Sequence, residues 1–195
     1  LTTDQTTLPY PDHEPELMAD GTLYELVVTA DTGTTSTDDE TGQVFLRVVG
    51  DEVAEAEAEI AAVQAMDLPD DIKTLVLVEE VYPKYTMTGE AIDALLTLVD
   101  HGTETAHIYR LLGDLYVKSG LQIPAEASYQ TATELAEVEP NLEEQTQAYL
   151  GLGTLYQVVN KSEKAREALE QAQIGATELG DEKLINSISA QLSEL

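Results

Sequence analysis

The chain has 195 residues, 38 of them acidic against 9 basic, for a formal net charge of −29. Such a charge argues against binding to nucleic acid or to anionic membrane surfaces, and no run of about 18 apolar residues exists that could insert into a bilayer. There is no cysteine, hence no disulfide framework and no thiol chemistry.

Leu1 to Asp20 carries Pro9, Pro11 and Pro15 among Thr and acidic residues, which predicts an extended segment without helix. The start at Leu1, followed by Thr-rich sequence, fits an exported product whose signal peptide has been removed, and equally a trimmed expression product. The few Lys residues favour export and an extracellular setting. Thr22 to Ala30 and Val44 to Val49 place apolar residues on both of their alternating faces and read as two strands of an antiparallel pair, with Glu25 and Arg47 placed to face each other. The acidic, Thr-rich loop between them holds Thr34 and Thr35, candidates for O-linked sugars on an exported chain. Asp51 is placed to cap a helix from Glu52 to about Met66, whose Val53, Ala56, Ile60 and Val63 form a narrow apolar face. Leu68-Pro69-Asp70 then breaks it.

From here the chain repeats. Tyr109, Leu112, Gly113, Tyr116, Ala125, Tyr129 and Ala132 recur at the same offsets, 40 residues later, as Tyr149, Leu152, Gly153, Tyr156, Ala165, Leu169 and Ala172. An earlier copy, 34 residues upstream, has Leu75, Val78, Tyr82, Ala91, Leu95 and Leu98, with Glu79 where the others have Gly. Each copy reads as two antiparallel helices, with Gly and Ala where their backbones approach closely. Gly120 and Asn160 supply left-handed residues at the inter-helix turns. Pro83 is expected to end its helix early. Gly180, then Asp181 and the stripe Leu184, Ile188, Leu192, predict a final capping helix. The pattern aromatic-x2-Leu-Gly-x2-Tyr followed by Ala-x3-aromatic resembles the tetratricopeptide repeat, with Tyr where that family often has Trp. The order of β segment, linking helix and repeats is also similar to exported repeat proteins of cyanobacteria.

The fold class expected is therefore α+β: an extended segment (1–20), a β segment (21–50), a linking helix (51–68), about three repeat pairs (69–180) and a capping helix (181–195). The resemblance implies protein–protein contact, no cofactor and no catalysis. It also implies that first helices line a concave side, where Lys73, His107, Arg110 and Asp114 fall by helical offset, with Lys118 at a helix end. Those five are the candidate partner-binding residues. The carboxylate-clamp set of Lys and Asn used by one subfamily is not present at the matching places.

No His-Glu-x-x-His, Gly-x-Ser-x-Gly or phosphate-loop pattern occurs, and among 38 carboxylates no pair stands out as acid and base. His101 and His107 do not share a helical face, so no metal site is assigned. Asn160-Lys161-Ser162 is the single Asn-x-Ser/Thr sequon, a candidate for N-linked glycosylation. Two functions remain. One is an exported, non-enzymatic subunit that self-associates through its N-terminal segment and β part, because a two-stranded hairpin with apolar residues on both faces needs another covering surface; a non-closing contact of this kind yields a fibre. The other is a monomeric adaptor that grips an acidic peptide through Arg110 and Lys118.

Overall fold

The computed structural model describes residues 23–25, 44–46 and 51–195. The N-terminal extension, Thr34, Thr35 and Arg47 lie outside the described residues. By its internal contacts the chain divides into two units, residues 1–61 and 62–195.

In the first unit, β1 (Leu23–Glu25) runs antiparallel to β2 (Val44–Leu46), with Leu23 opposite Leu46, Tyr24 opposite Phe45 and Glu25 opposite Val44. The register therefore places Val44, not Arg47, across from Glu25. Helix α1 (Asp51–Gln64) starts in this unit and ends in the second. Its expected stripe is its sheltered face: Ala56 and Val63 are buried, Val53 and Ile60 partly so, and Glu52, Glu55 and Glu57 are exposed.

The second unit is helical throughout. Helix α2 (Asp70–Val76) continues as a π turn (Leu77–Val81) and a 3₁₀ turn (Tyr82–Tyr85). Then come α3 (Thr88–Asp100), α4 (Ala106–Lys118), α5 (Gln122–Val138), α6 (Leu142–Val158), α7 (Ser162–Leu179) and α8 (Glu182–Ser193). Pro83 acts differently from the early stop expected of it. Its ring cannot coexist with a regular i to i−4 bond to the Glu79 carbonyl, and the chain meets this by widening to π spacing before the proline and tightening to 3₁₀ at it. The helix ends only at Thr86, which is left-handed at φ 56°.

Local chemistry sets the other boundaries. Side-chain oxygens of Thr105, Asn141 and Asp181 accept from the amides of Ile108, Glu144 and Leu184 at 3.3, 3.2 and 3.0 Å, so α4, α6 and α8 begin on a polar cap. Gly120 (φ 72°) and Asn160 (φ 57°) take the left-handed conformation that turns α4 into α5 and α6 into α7. The amides just after them, Leu121 and Lys161, then reach back to the Tyr116 and Tyr156 carbonyls at 2.8 Å. Three-residue turns of this sort make each pair antiparallel.

The core follows the repeat offsets. Ala125, Ala132, Ala165 and Ala172 are fully buried, as are Leu95 and Leu169. A methyl group on Gly153 would stand 2.6 Å from Leu169 Cγ, so only glycine lets α7 lie this close to α6. The Tyr129 ring of α5 is wedged between two glycines. A Cβ on Gly113 of α4 or on Gly151 of α6 would lie 2.5 Å from ring carbons. Beyond the last pair, Ile188 of α8 is completely buried and packs on Leu169, Ala172 and Ala176 of α7, closing the stack as a cap must.

Candidate functional site

Three of the five candidate residues converge. His107, Arg110 and Asp114 occupy successive turns of one face of α4, and the carboxylates that reach them from outside α4 come from the first helices of the pairs on either side. The Arg110 guanidinium places Nε 2.5 Å from Glu144 Oε2 on α6 and Nη1 2.8 Å from Asp114 Oδ2. His107 sets Nδ1 2.9 Å from Glu144 Oε1 and Nε2 3.4 Å from Glu79 in the π turn. One imidazole thus spans carboxylates from two neighbouring pairs. Asp114 is further fixed from below, where the Tyr129 hydroxyl donates to Oδ1 at 2.6 Å.

The Glu144 hydrogen bond raises the His107 pKa above its ordinary value, and the Glu79 charge adds to this, against the opposition of burial and of Arg110. Burial alone would raise Glu144, but the bonds from His107 and Arg110 outweigh it and hold the carboxyl below its usual range. Arg110 is partly desolvated yet rises, because Glu144 and Asp114 favour its charge. Burial and the adjacent Asp114 push the Tyr129 phenol far up, so it stays a donor. The Arg110 Nη2 group also lies 3.2 Å from His107 Nδ1. That nitrogen donates to Glu144 whenever it carries a proton and accepts from Arg110 only in the neutral tautomer that leaves it bare.

The other two candidates stand apart. Lys73 lies on α2 with Nζ 3.5 Å from Asp70 in its own first turn. Lys118, at the end of α4, is exposed and makes no ion pair among the described residues. Asn160 is exposed in the left-handed turn between α6 and α7.

Beside the charged cluster a groove of about 360 Å³ runs between α4 and α6. Asp114 and Val117 line one wall, Gln147, Leu150 and Leu155 the other, and the Tyr129 ring with Gly151 forms the floor. The glycine that admits the ring also leaves room above it. Neither Gly151 nor the acceptor Glu144 was singled out from sequence, because Gly151 falls outside the repeated offsets and Glu144 is one acid among 38. A second unanticipated cluster joins the last two pairs. The Tyr156 hydroxyl donates to Glu126 at 2.7 Å, while Lys161 and Lys164 lie 3.4 Å from the same carboxylate and 5.5 and 5.1 Å from the Tyr156 ring centre. The Tyr156 bond and then the lysines hold Glu126 below its usual range, and burial and Glu126 push Tyr156 up to about 12.

Among the described residues no group of three or more His, Asp or Glu is disposed to hold a metal ion, and no helix is long and apolar enough to cross a membrane. The arrangement offers a preformed groove and fixed charges. The chain has the tetratricopeptide-repeat fold: antiparallel helix pairs, stacked in order, with small residues at the crossings and a capping helix. No family model and no curated protein matches the sequence. Among solved structures, MamA superposes with a TM-score of 0.51 at 20% identity, over 73% of this chain and 90% of that one. YrrB, described as a TPR protein with an unusual peptide-binding site, matches with a TM-score of 0.40 at 18% identity, over 73% and 79%. The likeness to MamA is one of fold.

Proposed function

We propose that the chain is a non-enzymatic scaffold that holds a segment of a partner protein in the groove between α4 and α6. The observation that carries this is the groove itself: apolar walls, a flat aromatic floor and a few polar groups at the rim, which suit an extended backbone with one apolar anchor. The partner's chemistry follows from charge. Arg110 already faces two carboxylates, whereas half-exposed Asp114, the charged side chain in the groove wall, keeps acceptor capacity beyond its bonds from Arg110 and Tyr129. An apolar segment bearing an amine or guanidinium therefore fits better than the acidic peptide expected from Arg110 and Lys118. His107 and Arg110 serve by holding α4 against α6 and so fixing the groove's width.

Selection from a random peptide library tests this reading. Peptides that bind the full chain should share an apolar residue flanked by Lys or Arg. Changing Thr154 at the groove's rim to Trp should weaken them by about tenfold or more. Equal binding by the Thr154→Trp variant would remove the groove from the account. A self-associating subunit is the second reading; the N-terminal segment through which it would assemble lies outside the described residues, and the exposed Ile123, Val138 and Val158 favour association at the ends of the helix pairs instead.

A further inference from the structure

Helices α2 to α8 alternate in direction, so the turns between them fall along two edges. The turns within pairs, following Tyr85, Lys118 and Val158, share one edge. Those between pairs, following Asp100, Val138 and Leu179, share the other. The edges differ in charge balance.

On the first edge stand Lys118, Lys161, Lys164 and Arg166. Lys161 and Lys164 share the single carboxylate of Glu126, while Lys118 and Arg166 are exposed and without an ion pair among the described residues. Glu90, Asp114, Glu163 and Glu167 lie near the same turns, so this edge is mixed in charge with its positive side chains grouped around Lys118 and Lys161, whereas the second edge is strongly acidic. On the second edge Glu137, Glu139, Glu143, Glu178, Asp181 and Glu182 crowd around two turns, with Lys183 as the one basic residue there. Each edge also exposes bare apolar side chains among its charges. Ile123 is 85% exposed and Val158 66% on the first edge, and Val138 is 79% exposed on the acidic one.

We propose that the lysine-bearing edge of one molecule binds the acidic edge of a second copy of this chain. Both halves of the match are present on one molecule, at the same helix-pair spacing, which is what a second copy supplies and an unrelated acidic protein does not. The contact is heterologous, so it leaves a free edge of each kind at either end and propagates. It is independent of the groove, and of the N-terminal segment. The net charge of −29 opposes approach at low ionic strength. At about 0.15 M salt, screening over roughly 8 Å suppresses that whole-molecule repulsion while touching pairs keep their attraction.

A charge swap tests the proposal by sedimentation velocity on the full chain in about 0.15 M salt. The wild-type mass should grow with concentration. Lys118→Glu with Arg166→Glu makes both edges acidic, Glu137→Lys with Glu139→Lys brings positive charge to both, and each variant alone should stay at monomer mass. An equal mixture should associate again, since opposite edges then meet. Lys118→Gln with Arg166→Gln should weaken association without adding any new repulsion, and serves if a reversal disturbs the circular dichroism melt. A wild type that is monomeric at every concentration, variants that assemble as it does, or a mixture that fails to recover would each overturn the idea.

Discussion

The first helix pair and the two after it share one pattern but solve it differently. Where α4 has Gly113 and α6 has Gly153, the second helix of the pair lays Tyr129 or Leu169 directly on the backbone. Where the first pair has Glu79, the π turn ahead of Pro83 buries Leu77, Val78 and Val81 and leaves Glu79 outside, facing His107. A side chain at one repeated position thus exchanges tight backbone packing for a charge that reaches the next pair. The lesson is that the repeat is held by space at this position more than by the identity of its apolar residues.

Adding a methyl group is the most direct way to break that contrast. Gly151→Ala or Gly113→Ala drives a Cβ into the Tyr129 ring, and either should lower unfolding free energy by about 3 kcal/mol in urea denaturation. Glu79→Ala, at an exposed place where space already exists, should cost only about 0.5 kcal/mol by the same measurement. Comparable losses from all three would refute the packing account. Next in size, Glu144→Gln withdraws the carboxylate shared by Arg110 and His107 and should destabilise by about 2 kcal/mol, since it leaves a partly buried guanidinium under-matched.

A smaller effect than that of Glu144 is the one that depends on pH. The His107 pKa is raised on folding, so its stabilisation is fully present below the unfolded value and is lost as pH rises through the folded one. His107→Gln should therefore be less stable than wild type by about 1 kcal/mol near pH 6, and the gap should close in alkaline buffer. Glu144, with a lowered pKa, works the other way: its contribution holds above the ordinary carboxyl range and fades in acid as pH falls through the folded value. A His107→Gln gap that stays constant with pH would mean that the imidazole acts by packing alone.

The helix pairs were readable because their determinants recur: Gly113 and Gly153, Ala125 and Ala165, the left-handed Gly120 and Asn160 all sit at fixed offsets. Asp181 announced the cap of α8 for a similar local reason. The site was less legible. His107, Arg110 and Asp114 share a face of one helix, and helical offset brought them together, but their partners Glu79 and Glu144 lie on other helices, and nothing local marks an acid as the one that will face an arginine. Pro83 misled in the opposite sense. Proline forbids one hydrogen bond, and a backbone free to shift its spacing on either side can satisfy that without stopping.

The ring of Tyr129 belongs to one helix pair but is clasped by glycines of two. Under tension applied along the stack, neither pair can peel away without drawing that ring out of its slot. The middle and last pairs are therefore riveted into one mechanical element, and the junction that gives way first lies elsewhere in the array.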